Sequence, residues 1–278
     1  MSHIFHPTSP FWRVNREWII ALAGPRAVLL EVAHPLVAAG VAQHSRYRTD
    51  PFGRLYRTLR LMTHITFGDA DTALGGARAF RHRHQQVRGA LSNEVGPYLA
   101  GTRYHAHDPL LKLWVLATLI DSTLRVYERF VTPLSLEDKQ AYYRDAQRLA
   151  EVMGIPRPLT PPTYADFLNY MDAMLTSDML TVGDDARAIV AALFRPPLFG
   201  PLARGLFSFT AGLLPPHLRE AYHLAWDDRA EQRLDHVAAF SRRFWLALPS
   251  VIRAHPKAVN SERQWRERNG QLSFIGRH

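Results

Sequence analysis

The stretch DPFGRLYRTLRLMTHITFGDADTALGGARAFRHRHQQVRG (50–89) decides the fold class of this chain, because it reads as two consecutive helices. Asp50 before Pro51 is a typical helix start, since a proline in the first turn removes no hydrogen bond that the helix needs. In the second half, apolar side chains recur every three or four residues, which is the spacing of one helical face. The members of this face are Ala73, Ala77, Phe80, His84, Val87 and Leu91.

Similar start signals recur along the chain. Asp108 before Pro109 has the same form as Asp50 before Pro51, and Ser135 followed by Asp138 resembles a capping box. No alternating run of six or more residues between turn signals predicts a sheet. The sequence therefore predicts an all-α fold with about nine to eleven helices.

The domain organisation follows from the absence of a long linker. The richest proline segment, 155–162, has the length of an ordinary connection between helices. We expect a single multi-helical domain over residues 1–278, with short tails at 1–9 and 260–278. A division near residue 158 is the alternative.

The composition excludes several kinds of site. Of the 278 residues, 47% are hydrophobic and 21% charged, which suffices to bury a core. The chain has no cysteine, so disulfides, thiolate metal sites and cysteine-ligated haem are excluded. A metal ligand must come from the 14 histidines or the acids. The net charge of +9 is spread without a long run of like charges, so no nucleic-acid partner is predicted.

The location of the protein is suggested by two missing signals. Residues 1–10 lack the apolar segment of a signal peptide, and no stretch reaches the roughly 18 uncharged apolar residues of a membrane span. We therefore expect a cytoplasmic protein without a transmembrane segment. The positive charge is compatible with peripheral contact to a membrane.

The second helix of the stretch carries two histidines that point in different directions. His84 lies within the apolar face, whereas His82 is about 200° away around the helix. The two side chains therefore cannot readily bind one metal from a regular helix, and a buried ligand should be His84. Two interpretations stay open: a metal or haem ligand, and a core histidine that bonds to a backbone carbonyl.

The first helix of the stretch combines an apolar face with a second face of mixed character. This second face holds Arg54, Thr58 and two apolar side chains, with Arg57 near its edge. A helix with two such faces is buried on both sides or borders a cavity. A buried guanidinium needs a partner, which a haem propionate, a substrate carboxylate, a bound oxygen species or a protein carboxylate could each provide.

Two Glu-x-x-His patterns offer a different metal chemistry. They are Glu31 with His34, and Glu220 with His223. Paired patterns of this kind are typical of di-iron helical bundles. However, Pro35 predicts a kink directly after the first pair, because it removes a helical hydrogen bond and crowds the preceding turn. The kink would disturb the helix register that such a site requires.

Seven motifs, in order, resemble one known family: the oxygenases that include MpaB and the catalytic domain of latex clearing protein, a rubber oxygenase. The resemblance extends over nearly the whole chain. The motifs are AHPLVAAGVAQHS (33–45), DPFGRLYRT (50–58), FGD (67–69), HQQVRG (84–89), YHAHDPLLKLWVLATL (104–119), LPPHLR (214–219) and LPSVIRAHP (248–256).

The resemblance implies an all-α fold with a b-type haem held by one proximal histidine, here His84. It implies that Arg54, Arg57 and Thr58 contact the haem or act in catalysis on the other side. Latex-type enzymes have lysine at the position of Arg57, and an arginine stays protonated, so this residue donates hydrogen bonds and is no base. Many relatives read W-V-H-A where this chain reads W-V-L-A, with Leu116.

We therefore expect a haem b-dependent oxygenase that uses dioxygen and cleaves carbon–carbon double bonds of an apolar, isoprenoid- or lipid-like substrate. The first alternative is a non-enzymatic haem- or lipid-binding helical protein, which Leu116 and Arg57 favour. The second alternative is a di-iron oxygenase that uses the two Glu-x-x-His patterns.

Overall fold

The structure of the chain is a computed structural model that describes residues 3–45, 47–193 and 209–275; at positions 51, 52, 54, 55 and 270–275 it describes the backbone alone. Most of these residues are helical. The α-helices are α1 (Pro10–Asn15), α2 (Ala23–Ala33), α3 (Pro35–His44), α4 (Pro51–Phe67), α5 (Ala70–His84), α6 (Pro109–Phe130), α7 (Leu136–Val152), α8 (Tyr164–Thr176), α9 (Asp184–Leu193), α10 (209–212), α11 (Pro216–Ala221), α12 (Asp228–Phe244), α13 (Ser250–Arg253) and α14 (Pro256–Ile275). Short 3₁₀ turns cover Trp18–Leu22, Arg157–Leu159 and Trp245–Ala247.

The predicted helical class is confirmed, but the predicted count is wrong. The described residues form fourteen α-helices rather than nine to eleven. Three of these helices, α1, α11 and α13, have only four to six residues. One or two turns are too short to show a 3.6-residue periodicity, so a count of caps and breakers does not resolve them.

A small antiparallel sheet is the second departure from the expectation. Its strands are β1 (Arg88–Ala90) and β2 (Arg103–His105), and Gly89 lies opposite Tyr104. A Cβ atom at Gly89 would come within 2.6 Å of the Tyr104 hydroxyl, so only glycine permits this close approach. Strands of three residues cannot display the alternation from which a sheet is predicted.

The helix starts that were predicted from capping residues are confirmed. The side chains of Asp50, Asp108 and Ser135 each accept a backbone N–H from the first turn that follows, at 2.8–3.0 Å. Each bond satisfies a donor that a helix leaves unpaired at its N-terminus. The starts of α4, α6 and α7 are therefore set by local sequence.

The kink predicted at Pro35 is a complete break between α2 and α3. The two helical segments 18–33 and 35–44 meet at an angle of 107°. His34 caps the second helix, because its Nδ1 accepts the backbone N–H of Leu36 at 3.3 Å. Within the described residues no single helix is long and apolar enough to cross a membrane, although this bent pair passes the same test when its two segments are taken together.

The core is built around α6, whose side chains are mostly buried and which packs against α2, α7 and α12. Trp114 of α6 is 1% exposed, and Trp12 of α1 is fully buried. The largest cluster of buried apolar side chains extends from Phe5 to Ala258. Segments on both sides of the 155–162 connection therefore contribute to one core.

One charged group lies deep in this core. Arg26 of α2 is 1% exposed and donates to Asp121, to the Ser122 hydroxyl and to the Leu213 carbonyl, each at 2.7 Å. Burial lowers the pKa of Arg26, and the adjacent Asp121 carboxylate opposes this effect. A buried charge is tolerated only when it is paired and hydrogen-bonded, so these contacts are what allow the arginine to join α2 to α6.

Candidate functional site

The two helices of the 50–89 stretch form a hairpin with its turn at Gly68. Gly76 of α5 shows which faces meet. A Cβ atom at this glycine would lie 3.3 Å from Leu61 Cδ1 and 3.9 Å from Ile65 Cγ1. The face of α4 that holds Leu61 and Ile65 is therefore directed at α5. The two helices of the hairpin therefore face each other.

The hairpin is closely packed near its turn and open at its other end. Near the turn, Ile65 and Ala73 are fully buried. Further out, residues 56–60 are exposed in succession, around more than a whole turn of α4. At a rise of 1.5 Å per residue, His84 lies about 9 Å farther from the turn than Thr58. Both candidate walls thus lie toward the open end, at different levels.

His84 is half-buried, and its ring is held by its own helix. Nδ1 bonds to the Phe80 carbonyl at 2.9 Å, and the two rings pack with centroids 3.9 Å apart. A carbonyl only accepts, so Nδ1 carries the proton in this bond. Nε2 then has the lone pair that an iron ligand requires. His82 is exposed, as the periodicity predicts.

The apolar stripe that contains His84 extends in the sequence from Ala73 to Leu91, beyond the end of helix α5. Helix α5 ends at His84, so Val87 and Leu91 are not part of it. Val87 precedes β1, and its carbonyl accepts the Ala106 backbone N–H at 2.8 Å. Pairing between the two short strands thus takes over where the sequence periodicity would continue a helix. His84 is the last residue of its helix rather than a residue in the middle.

The three residues assigned to the opposite wall differ in their surroundings. The side chain of Arg54 lies outside the part that the structure describes. Arg57 pairs with Asp50, the cap of its own helix, at 2.8 Å, and the two side chains are 53% and 44% exposed. An exposed pair of this kind is worth about 0–1 kcal/mol, so Arg57 can exchange Asp50 for another acceptor at small cost. Thr58 is exposed but borders a cavity.

This cavity has a volume of about 70 Å³ and lies between α2, α4, α6 and α9. Its walls are mostly apolar, with Glu31 as the acidic side chain among them, and His84 does not line it. Sites for drug-sized ligands have roughly 300–1,000 Å³, so this cavity holds only a small group or the end of a chain. The lining residues are Gly24, Val28, Glu31, Tyr47, Thr58, Leu59, Met62, Leu119, Ile189 and Leu193.

Several lining residues were not anticipated from the sequence. Tyr47 lies just before α4, and its hydroxyl accepts a hydrogen bond from Arg48 Nε at 2.8 Å. Ile189 and Leu193 come from α9, more than 120 residues after α4. The apolar spacing of α9 indicates a buried face, but nothing local tells which helix that face covers.

Leu116, which stands where many relatives have histidine, is 5% exposed. It lines a narrow space of about 10 Å³ together with Tyr143 of α7 and Phe167 of α8. It is not among the residues that line the larger cavity beside Thr58. The leucine therefore serves as a packing residue between α6, α7 and α8 in this arrangement.

The Glu-x-x-His patterns do not lie on continuous helices. Glu31 is in α2, whereas His34 follows the end of that helix and caps α3. Glu220 is in α11, whereas His223 follows it, is exposed, and has a positive φ of 56°. In residues 3–45, 47–193 and 209–275 no group of three or more histidine and acidic side chains is placed to hold a metal ion.

The residues of the hairpin and the cavity lie within a region that is similar to a known protein family. The family described as the ER-bound oxygenase mpaB/B' and rubber oxygenase catalytic domain matches residues 12–243. The chain belongs to this family. The mpaB/rubber oxygenase match includes all of α4, α5 and α9, and with them every candidate site residue named above. As an oxygenase family, it implies a small-molecule substrate and dioxygen.

Two mycobacterial proteins are similar to the chain. They are an uncharacterized protein of Mycobacterium bovis and one of Mycobacterium tuberculosis. Each is 30% identical over 227 residues, which is 77% of this chain and 84% of the relative. No solved structure matches the chain. The names of these relatives state no activity or substrate.

The residues of this mpaB/rubber oxygenase domain fit a haem on one side. His84 has its ring oriented by a backbone carbonyl and its second nitrogen suited to iron. On the opposite side, Thr58 borders the cavity, while Arg57 is paired with Asp50. His84 therefore has the donor atom that a haem ligand would need, and the opposite side presents the Thr58 hydroxyl rather than a guanidinium in this arrangement.

Proposed function

We propose that this chain is a haem b-dependent oxygenase in which His84 binds the iron. The observation that carries the proposal is the match to the oxygenase family over residues 12–243, which include His84. The hydrogen bond from His84 Nδ1 to the Phe80 carbonyl is compatible with an iron ligand, because it puts the proton on Nδ1 and the lone pair on Nε2. Cysteine, another common haem ligand, is absent from the chain. Haem bound there would supply the redox-active iron that activates dioxygen.

Arg54, Arg57 and Thr58 are proposed for the side of the site opposite His84. A guanidinium stays protonated, so Arg57 donates hydrogen bonds to a propionate or to dioxygen. The Thr58 hydroxyl both donates and accepts, which suits the border between a polar group and the apolar cavity. None of the three is a base at neutral pH, so a step that removes a proton has to use another group.

An apolar substrate, isoprenoid- or lipid-like, is supported by the lining of the cavity. Apart from Glu31, Tyr47 and Thr58, its side chains are hydrocarbon or thioether. Burying a methylene group among them stabilises a complex by about 0.8 kcal/mol, which favours an aliphatic chain over a polar molecule. The volume of about 70 Å³ takes only part of such a chain, so the remainder must extend beyond the cavity.

The iron ligand is tested with the absorption spectrum and iron content of the protein expressed with ample haem. We expect a Soret band and one iron per chain, both lost in His84→Ala. His82→Ala is the matched control, because His82 is exposed on the same helix, and it should keep both signals. Far-UV circular dichroism shows whether both variants fold.

Three results would contradict this assignment. A wild-type protein that carries no haem would exclude both haem-binding functions. A Soret band that persists in folded His84→Ala would move the ligand elsewhere. Two irons per chain without a Soret band would favour the di-iron alternative instead.

A haem- or lipid-binding protein without oxygenase activity is the second candidate, and the pairing of Arg57 with Asp50 favours it. Oxygen uptake by the haem-loaded protein with an unsaturated isoprenoid distinguishes the two. Uptake that depends on the substrate supports the oxygenase, and a Soret band without uptake supports the carrier. Arg57→Lys, which introduces the residue of latex-type enzymes, should retain haem in both cases.

A further inference from the structure

Helix α12 has apolar side chains on its buried side and also on an exposed side. On one side, Leu234 and Ala238 are buried, with 1% exposure each. On the other, about 200–260° around the helix from Ala238, lie Val237, Phe240 and Phe244. They are 41%, 67% and 45% exposed. A helix at the surface of a soluble protein normally carries polar residues on its outer side, so this second apolar face requires an explanation.

The segment that follows α12 continues the same surface. All residues from 246 to 252 are exposed and uncharged, and they include Leu246, Leu248, Val251 and Ile252. Trp18 lies beside them, 45% exposed, with its ring 4.6 Å from that of His255. We refer to this surface as the apolar tip. Its members are Trp18, Val237, Phe240, Phe244, Leu246, Leu248, Val251 and Ile252.

The apolar tip is large for a surface of a soluble chain. A fully open aromatic side chain offers roughly 150–250 Å², so eight large side chains at 38–74% exposure present on the order of 700 Å². The largest apolar patch of a typical monomer covers about 300–600 Å². Patches beyond that size usually mark a contact with a partner or a membrane.

The charged side chains within the segment 237–252 of the apolar tip are both positive. No acidic residue occurs between Asp235 and Glu262. Arg242 and Arg243 are exposed at the end of α12, and the Arg243 guanidinium lies 5.8 Å from the centre of the Phe244 ring. Cations next to an exposed aromatic and aliphatic surface match the headgroups and the hydrocarbon boundary of an anionic bilayer.

We propose that the apolar tip docks onto a membrane that contains anionic phospholipids. The aromatic and aliphatic side chains enter the boundary between headgroups and acyl chains, while Arg242 and Arg243 contact lipid phosphates. Stable attachment of this kind combines an apolar and an electrostatic contribution, and the tip has both. Docking through the apolar tip does not depend on haem binding, and it would give the protein access to apolar molecules dissolved in the bilayer.

A second copy of the chain fits this surface less well. In a twofold dimer the same patch faces itself, which would bring Arg242 and Arg243 of both copies together without an acidic partner from 236–261. Like charges across an interface oppose association. The apolar area is also slightly below the roughly 800 Å² per subunit of a standard stable interface.

Flotation with lipid vesicles tests the proposal on the full chain. Vesicles of neutral phosphatidylcholine are compared with vesicles in which part of it is replaced by phosphatidylserine. We expect binding to the anionic vesicles that falls as salt is added, because exposed charges are screened. Phe240→Ser with Val251→Ser, and Arg242→Glu with Arg243→Glu, should each lower the partition coefficient by about tenfold or more.

Each double variant has a matched control. Leu99→Ser with Leu136→Ser removes two side chains that are 65% and 64% exposed elsewhere on the surface. Arg144→Glu with Arg148→Glu makes the same change in net charge on α7, where both residues are exposed. Both controls should bind vesicles about as well as the unaltered chain.

Four outcomes would overturn the proposal. The first is that the unaltered chain does not bind anionic vesicles, and the second is that the tip variants bind as well as their controls. The third is that light scattering shows a dimer and that Phe240→Ser dissociates this dimer, which would assign the tip to a contact with a second copy. The fourth is that Phe240→Ser strongly lowers the melting temperature of a chain that does not bind vesicles, which would show that another segment of the chain covers the tip.

Discussion

His34 is a buried histidine with both ring nitrogens in use. Nδ1 accepts the backbone N–H of Leu36, and Nε2 lies 3.1 Å from the Tyr98 hydroxyl. Burial lowers the pKa of His34 to about 4, and the more distant Asp108 carboxylate only partly offsets this. A second proton would have to go onto Nδ1 and would break the cap of α3. The neutral form is therefore part of the folded structure.

Stability should consequently depend on pH through His34. The unfolded chain takes up the proton near pH 6.5 and the folded chain only near pH 4, so the unfolded state binds more protons between these values. The stabilisation is complete above pH 6.5 and is lost as the pH falls toward 4. Between pH 7 and 4.5, the free energy of unfolding in urea should fall by about 2–3 kcal/mol from this residue.

His34→Asn isolates this contribution, because asparagine keeps a capping oxygen and does not titrate. The variant should lose about 2–3 kcal/mol less than the wild type over the same pH range. His82→Asn alters an exposed histidine and should keep the full wild-type loss. An identical pH dependence in wild type and His34→Asn would contradict the assignment.

The sequence predicted the exposure of a single residue where that residue's own helix determines it. Periodicity separated exposed His82 from half-buried His84 correctly, because both belong to one regular helix. The partner of Arg57 was left open among several acceptors. The structure selects Asp50, about two turns away at the start of the same helix. A list of acceptor types does not rank it above the others.

The α4–α5 hairpin is the element on which the candidate site depends, and its spacing is controlled by glycine. Gly75 and Gly76 are neighbours on α5, but only Gly76 faces α4. At Gly75 an added Cβ would meet nothing within 4 Å, whereas at Gly76 it would lie 3.3 Å from Leu61. The small residue at 76 therefore sets how closely the two helices approach.

Leucine substitutions at these two positions should have opposite effects. Gly75→Leu should raise the free energy of unfolding by about 0.5–1 kcal/mol, because leucine is a better helix former than glycine. Gly76→Leu should lower it by about 1–3 kcal/mol, because the added side chain overpacks the contact with Leu61 and Ile65. Urea unfolding of both variants measures the difference. Equal effects would show that Gly76 is not the contact.

Elements were predicted well where the signals are adjacent in sequence. The starts at Asp50, Asp108 and Ser135 and the break at Pro35 follow from side chains within four residues. The end of α5 was not predicted, because strand pairing between 88–90 and 103–105 stops it. That pairing depends on residues more than a dozen positions away.

Contacts between parts of the chain that are distant in sequence hold the fold together. Glu17, which follows α1, is 3% exposed. Its carboxylate accepts from Trp245 Nε1 at 2.8 Å and pairs with Arg253. These two partners lie more than 220 residues later and flank the apolar tip on the segment 245–253. One buried acid thus attaches that segment to the N-terminal part of the fold.

Glu17→Gln should destabilise the protein by about 3–5 kcal/mol, because Arg253 then has no opposing charge in a largely buried position. The melting temperature should fall by about 5–15 °C. Glu267→Gln is the matched control, since it removes one member of an exposed pair with Arg263 and should change stability by less than about 0.5 kcal/mol. Similar melting curves for the two variants would contradict the role of Glu17.

The sequence by itself determined the helical class, the main caps, the break at Pro35, and that His84 is less exposed than His82. These features depend on backbone geometry and neighbouring side chains, which local sequence contains. Only the tertiary structure decided which residues share the cavity, where Arg57 and Leu116 lie, and that an apolar surface remains exposed around Phe240. These features depend on which helical faces cover each other, and the apolar spacing of a helix does not specify its partner.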